Sequence, residues 1–202
     1  MLKIQLDNYR SIFIAIALIG LLLFSWPTVS VLFKMPHGQQ FSEIYFLGPN
    51  KNFEGIPSNI QTGVSYQVYL GLGNNLGHSS YYSCLVKISN GSEFMPDTKL
   101  GKSIDLPVLY EYKIFIKDGD SIQLPLTFQV DSLTFTDLSC QLSGMRINGL
   151  DVPVTETSDW SSDKAGFYYN LIVELWLFNS TLGKSQFNDR FVSLPLNMTQ
   201  RI

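Results

Sequence analysis

The sequence predicts an all-β domain, an antiparallel β-sandwich, preceded by one N-terminal transmembrane α-helix. Three observations support this fold class. Residues 11–33 form an uncharged, apolar run of 23 residues. Residues 41–202 contain short segments in which apolar and polar side chains alternate, separated by turn residues. Aromatic residues, which strands favour, make up 13% of the chain, and 15 Gly and 9 Pro can supply the turns.

The apolar run is flanked by Arg10 and Lys34. As a helix it would span roughly 34 Å, enough for a hydrocarbon core of about 30 Å. Lys3 and Arg10 precede it, and the positive-inside tendency therefore favours a cytoplasmic N-terminus. A cleaved secretory signal peptide is the alternative, which the bulky residues after Phe24 disfavour.

These observations divide the chain into four parts. We expect a cytoplasmic tail (1–10), a transmembrane helix (11–33), a linker (34–40) and an extracellular β-sandwich domain (41–202). The protein would then lie in the cell membrane as a single-pass protein with its C-terminal domain outside.

Eight strands are predicted in the domain, at 41–47, 64–72, 81–89, 110–117, 121–130, 132–143, 167–178 and 187–198. Asp118-Gly119-Asp120 is a hairpin signal between two of them. Residues 144–165 are predicted as an irregular segment in which Asp159-Trp160 plugs one end of the core. Eight short strands joined by turns favour an antiparallel, immunoglobulin-like β-sandwich.

The segment 167–178 is the strongest strand signal, because both of its faces are apolar. Such a strand is covered on both sides and is central in its sheet. Glu174 interrupts this apolar segment. It is either a partnered or edge-facing carboxylate, or a candidate glycosidase acid.

The two cysteines, Cys84 and Cys140, both lie on the predicted inward faces of their strands. In an extracellular domain they are expected to form a disulfide. Two buried free thiols in a reducing compartment are the alternative.

Three glycosylation sequons follow the apolar run: Asn90-Gly91-Ser92, Asn179-Ser180-Thr181 and Asn197-Met198-Thr199. The first two fall in predicted turns. We expect glycosylation at Asn90, Asn179 and Asn197, in agreement with an outward domain.

Composition and motifs predict neither a cofactor nor a metal site nor catalytic residues. The net charge of −3 and the 15% of charged residues exclude the basic surface that nucleic acid requires. With only His37 and His78, the chain lacks the ligand set of a cupredoxin copper site. Carboxylate pairs such as Asp118 with Asp120 or Glu111 with Glu174 are explained better by turns and partners. The aromatics that we consider for stacking on sugars, with core packing as the alternative, are Tyr81, Tyr82, Tyr168 and Trp176.

Two stretches resemble a known family. The first comprises FSEIYFLGPN from Phe41, EGIPSNI from Glu54 and YQVYLGLGNN from Tyr66. The second contains ELWLFN from Glu174, RFV from Arg190 and LNMT from Leu196. Together they are similar to the archaeal domain of unknown function 1616 family of membrane-anchored proteins. The resemblance implies an outward immunoglobulin-like domain and no catalytic residues.

The sequence therefore predicts a non-enzymatic, membrane-anchored module whose extracellular β-sandwich binds protein or glycan partners at the cell envelope. The alternative is an accessory subunit of a membrane-embedded enzyme complex, whose helix docks on partner helices and whose sandwich caps the outer face. The small residues Ala15, Ala17 and Gly20 in the apolar run favour that alternative. An envelope hydrolase is the third class considered.

Overall fold

The computed structural model describes residues 7–32, 40–91 and 95–199. The chain divides into two compact units at residue 40. The first contains the helix α1 (Asp7–Leu32), and the second contains all the strands. The predicted tail 1–10 and linker 34–40 lie largely outside the described residues, as does His37.

The predicted membrane helix is not supported by this structure. Among the residues described, no helix is both long enough and apolar enough to cross a lipid bilayer. The predicted fold class, with a transmembrane helix over 11–33, is thereby contradicted and is corrected to a β-domain that follows helix α1.

The second unit contains eleven strands: β1 (Phe41–Leu47), β2 (Asn59–Gln61), β3 (Ser65–Asn75), β4 (Ser80–Asn90), β5 (Tyr110–Ile116), β6 (Ser121–Val130), β7 (Leu133–Phe135), β8 (Ser139–Ile147), β9 (Leu150–Ser161), β10 (Gly166–Asn179) and β11 (Lys184–Thr199). The pairings are antiparallel except that of β11 with β2. They form one sheet of eleven strands.

This sheet has two halves, which face each other across one core. The first half-sheet runs β1-β3-β6-β8-β9, with β7 beside β8, and the second runs β5-β4-β10-β11-β2. They join where β9 pairs with β10 through Trp160 opposite Phe167 and Ser161 opposite Gly166. We call these two residue pairs the corner. The predicted β-sandwich is confirmed, but the two separate sheets of an immunoglobulin-like fold are corrected to a single curled sheet.

The predicted irregular segment 144–165 is the largest error in strand assignment. It contains the end of β8 and all of β9, which form a long hairpin. Asn148 and Gly149 make its turn with φ of 49° and 80°, the left-handed pair of a type I′ turn. Asn-Gly is the strongest short hairpin signal, so the sequence did contain the information.

Strand β10 confirms the prediction that 167–178 is central. It pairs with β11 on one edge and with β4 on the other. Leu171, Val173 and Leu175 are buried in the core, while Ile172 and Glu174 on the opposite face are buried as well. Across the core from β10, Cys140 lies in β8 and Glu156 in β9. The hydroxyl of Tyr169 in β10 donates to the carbonyl oxygens of both residues and so ties the two half-sheets together.

Cys84 and Cys140 are both buried and both free, so the disulfide predicted between them is not present. Cys84 lies opposite Leu175 in the β4–β10 ladder, whereas the Cys140 carbonyl lies at the Tyr169 hydroxyl. Tyr169 and Leu175 are six residues apart in one strand, about 20 Å at roughly 3.3 Å per residue. The two thiols are therefore too far apart along the core for the 4.4–6.8 Å Cα separation typical of a disulfide.

We expect both thiols to be inert in the folded protein. Burial raises the pKa of Cys84 to about 12 and that of Cys140 to about 11, from an ordinary value of 9.0. Because the pKa of each thiol is higher in the folded than in the unfolded protein, its contribution to the free energy of unfolding is fully present below pH 9. This contribution is lost as the pH rises through the folded values. Native protein at pH 8 should leave both thiols unlabelled by an alkylating reagent, and denatured protein should label both. Labelling of the native protein, or an intact mass 2 Da low, would contradict the free, buried thiols.

Candidate functional site

The corner places an unusual side chain at the surface. Trp160 is 47% exposed at the end of β9. Its backbone N–H donates to the carbonyl oxygen of Leu138 at 2.8 Å. Its ring packs edge to face on Phe167, with centroids 5.1 Å apart, and Phe135 packs on the other side of Phe167 at 5.6 Å. The indole is thus held by a buried aromatic cluster while much of it faces solvent.

Backbone geometry keeps the corner tight. Ala165 has φ of 51°, and the chain then turns directly into β10 at Gly166. A Cβ at Gly166 would lie 2.4 Å from the Asn197 Oδ1 atom, so a larger residue there would require the Asn197 side chain to move.

A cleft of about 200 Å³ lies on one side of Trp160. The Lys164 ammonium lies 5.1 Å from the centre of the Tyr168 ring, and the Tyr168 hydroxyl donates to the Lys164 carbonyl oxygen at 3.1 Å. Asp159 is exposed, and Ser161 is partly exposed. The first cleft therefore offers a cation, a carboxylate and a hydroxyl beside two aromatic rings; it is lined by Gly91, Ser158, Asp159, Trp160, Ser161, Lys164 and Tyr168.

A second cleft, of about 500 Å³, also has Trp160 in its wall. Its lining is more apolar, and its hydroxyls come from Thr136 and Thr199; the remaining lining residues are Phe135, Ala165, Gly166, Phe167, Asn197 and Met198. Trp160 is thus the residue that the two clefts share. An exposed indole between polar groups suits a ligand that has both an apolar face and hydroxyl groups.

The aromatics that the sequence proposed for sugar stacking lie in different surroundings in the structure. Tyr82 is buried, and its hydroxyl donates to Asn74 Oδ1 at 3.0 Å. Trp176 is partly buried and donates through Nε1 to Glu174 Oε2 at 3.0 Å. Tyr168 lies in the first cleft, as above. Trp160, which the sequence assigned to a plug, is instead the exposed ring of the site.

Tyr81 belongs to a second aromatic surface. It pairs with Phe115 of β5, and its ring packs edge to face on Phe178 of β10 at 6.4 Å. The three rings are 38%, 64% and 44% exposed, in that order. Phe178 is eleven residues from Phe167 in β10, about 36 Å along the strand. The aromatic row of Phe115, Tyr81 and Phe178 is therefore at the opposite end of the domain from the corner.

Glu174, the carboxylate considered as a glycosidase acid, forms a buried ion pair. Its Oε2 atom is 2.9 Å from Lys87 Nζ, and the two side chains are 0% and 5% exposed. Its Oε1 atom accepts from the Ile104 N–H at 2.7 Å, and Lys87 donates to the Ile104 carbonyl oxygen at 2.6 Å. With Trp176 also donating to it, the carboxylate has a partner on each oxygen. The predicted partnered carboxylate is confirmed.

The other titratable candidates also have local roles. Asp118 accepts from the Gly77 N–H at 2.7 Å, across the turn that Gly119 makes with φ of 78°. Glu111 lies 3.3 Å from Lys113 on the surface of β5. The ring of His78 lies with Nδ1 3.1 Å from the Leu76 carbonyl oxygen. Among the described residues, no group of three or more His, Cys, Asp and Glu side chains is placed to hold a metal ion.

The three sequons differ in their surroundings, and their glycosylation stays a prediction. Asn179 ends β10 at the turn to β11; its Oδ1 accepts from the N–H groups of Thr181 and Leu182, and its amide donates to Gln186 Oε1 at 3.0 Å. Asn197 lies within β11; its amide donates to Asn59 Oδ1 at 3.0 Å, and its own Oδ1 is buried without a hydrogen-bond partner. Asn90 ends β4, and Ser92 of its sequon is outside the described residues.

We predict that removing Glu174 alone destabilises the domain strongly. Glu174→Leu leaves the Lys87 ammonium buried without its counter-ion, which costs about 3–5 kcal/mol of unfolding free energy. The double variant Lys87→Met/Glu174→Leu should recover most of that loss, because no charge stays buried. Urea denaturation measures both, with the exposed Asp151→Asn as a control that changes little. A single variant as stable as the wild type would contradict a structural ion pair.

We also predict that Asn179 accepts a glycan more readily than Asn197. Both amides donate a hydrogen bond, but Asn197 lies within β11 and its Oδ1 atom is buried, whereas Asn179 is the last residue of β10, next to the turn. After secretion by a glycosylating host, peptide mass spectrometry should show higher occupancy at Asn179. An Asn179→Gln variant serves as the assignment control, and a glycan on Asn197 with none on Asn179 would refute the prediction.

No family model and no curated protein sequence matches the chain, so the resemblance to the domain of unknown function 1616 family stays a prediction. Among solved structures, the chain is similar to a β-glucosidase from Listeria innocua in complex with gluconolactone, at 8% identity and a TM-score of 0.35, over 82% of this chain and 18% of that one. It is also similar to the cohesin module of a Clostridium perfringens family 33 glycoside hydrolase, at 12% identity and a TM-score of 0.29, over 80% of this chain and 98% of that one. Likenesses this weak carry no functional argument.

Proposed function

We propose that the β-sandwich is a non-enzymatic interaction module whose corner binds a glycan of the cell envelope. The observation that carries the proposal is Trp160. Its indole is 47% exposed, is anchored by Phe167 at 5.1 Å, and lines two clefts.

The chemistry of a sugar ring suits this arrangement. One face of a pyranose presents C–H groups, which are attracted to the electron-rich face of an indole. The hydroxyls at its rim need hydrogen-bond partners once water is displaced. Asp159, Ser161 and Lys164 in the first cleft can accept from and donate to such hydroxyls.

The absence of catalysis is part of the proposal. Glycoside hydrolysis by the common route needs two carboxyl groups that flank the scissile bond. Glu174 is fully buried with both oxygens occupied, and Asp118 holds a turn. In the first cleft, Asp159 is the carboxylate that lines the wall. A single carboxylate of this kind is suited to binding hydroxyl groups.

An extracellular location is likewise a proposal. The position of Asn179 at the end of β10, next to the turn, supports it, because sequons at turns can accept a glycan. The free thiols of Cys84 and Cys140 remove the disulfide as a support. The accessory-subunit alternative depended on a membrane-spanning helix and is not carried further.

We predict that Trp160→Ala weakens glycan binding strongly and leaves the fold intact. Truncating a central aromatic anchor costs about 2 kcal/mol or more, which is a loss of roughly 30-fold or more in affinity. A glycan array probed with the full chain, followed by calorimetry on each retained glycan, measures the loss.

Phe115→Ala is the matched control, because it removes an exposed aromatic at the other end of the domain. Thermal unfolding of both variants should be close to that of the wild type. An array without any retained glycan, or equal binding by Trp160→Ala, would contradict the proposal. In that case a protein partner, the other interaction that the sequence predicts, becomes the function to test.

A further inference from the structure

We propose that the ligand at the corner is an oligosaccharide of at least two residues that lies across Trp160 and occupies both clefts. We further propose that the residue in the second cleft carries an apolar substituent, such as the methyl of an acetamido group. This inference rests on the proposed glycan function and makes it more specific.

The first step is the shared wall. Trp160 lines both clefts, so a ligand in one cleft is adjacent to the other across a single side chain. The indole packs on Phe167, and the backbone that carries it is held by the hydrogen bond from the Trp160 N–H to the Leu138 carbonyl oxygen. A ring that does not need to be ordered on binding retains more of its contact energy. A glycan that touches both sides of this ring gains contacts that a monosaccharide lacks.

The second step is the difference in polarity. The first cleft has Asp159, Ser161 and Lys164, which suit a hydroxyl-rich residue. The second cleft has Phe135 and Phe167, with threonine hydroxyls beside them. An unsubstituted sugar would leave part of that aromatic wall uncovered. A methyl group would bury apolar surface there, which stabilises the complex by about 25 cal/mol per Å².

The third step is size. The second cleft, at about 500 Å³, is more than twice the volume of the first, at about 200 Å³. The smaller cleft suits a single sugar ring with its hydroxyls directed to the wall. The larger cleft has room for a ring together with a substituent.

The test compares two matched series with the full chain. Glucose, its β-1,4-linked disaccharide and its trisaccharide form one series, and the N-acetylglucosamine counterparts form the other. Titration calorimetry, with Trp fluorescence as a second signal, should give at least a tenfold gain from monosaccharide to trisaccharide. The acetylated series should bind more tightly than the glucose series at the lengths of two and three.

One variant in each cleft tests where the two ends of the bound oligosaccharide lie. Lys164→Met should weaken the monosaccharide and the trisaccharide alike. Phe135→Leu keeps an apolar side chain under the corner and should weaken only the longer ligands, with loss of the preference for acetyl groups. The comparison of mono-, di- and trisaccharides needs no variant, so it tests the occupancy of both clefts even where a variant folds poorly.

The outcomes separate the inference from the function on which it rests. Equal affinity of mono- and trisaccharides, with binding still lost in Trp160→Ala, overturns the inference and leaves the glycan function standing. Equal affinity of the acetylated and glucose series overturns the assignment of the apolar substituent. If neither series binds and the array retains no glycan, the proposed function and the inference fail together.

Discussion

The pairing of β9 with β10 at the corner is the constraint on which the rest of this structure depends. Only two residue pairs, Trp160 with Phe167 and Ser161 with Gly166, make the two half-sheets one sheet. A sheet that turns so sharply has little room for side chains on the inside of the bend, and Gly166 lies there against Asn197. Trp160 and Phe167 lie opposite each other in this pairing and their rings pack together. Phe167 is buried and Trp160 is 47% exposed, so the exposed indole lies where the two half-sheets join.

A central strand with both faces covered is a second constraint, because the peptide groups that cover it need hydrogen-bond partners. The buried ion pair supplies these partners. The outer face of β10 is not open to water, because the segment that contains Ile104 lies against it. The peptide groups of an irregular segment are not hydrogen-bonded to a neighbouring strand, and buried peptide groups need hydrogen-bond partners. Glu174 accepts from the N–H of Ile104, and Lys87 donates to its carbonyl oxygen. The two charges thus neutralise each other and bind the two peptide groups that flank the Ile104 Cα. Burial of an acid in this domain is explained by packing, and no catalytic role is needed.

The sequence predicted local features well and non-local ones poorly. Strands β1 and β6 have the predicted bounds, because period-two alternation and turn residues are properties of a short segment. The β8–β9 hairpin was missed although Asn148-Gly149 marks it, because residues 144–165 were predicted as one irregular, turn-rich segment. Glu174 was predicted to have a partner, but Lys87 is 87 positions away and is brought near only by the register of β4 with β10. The cysteines were correctly placed on inward faces. The distance between the two cysteines depends on how strands align across the core. The alternation of apolar and polar residues along one strand does not predict that alignment.

The two ends of the domain differ in a way that bears on which end binds a ligand. At the far end, Phe115, Tyr81 and Phe178 form a row across three strands, but Tyr81 and Phe178 meet edge to face at 90°. Rings set at right angles offer no common plane on which a flat ligand could stack. The polar groups next to that row are engaged in the fold: Asn179 holds its own turn, and His78 lies at the Leu76 carbonyl. At the corner a single indole stands between two clefts, with Asp159 and Lys164 directed to solvent. An aromatic anchor next to hydrogen-bonding groups and between two clefts is the arrangement that recognition of a polar, ring-shaped ligand requires, and it occurs where the sheet turns its corner.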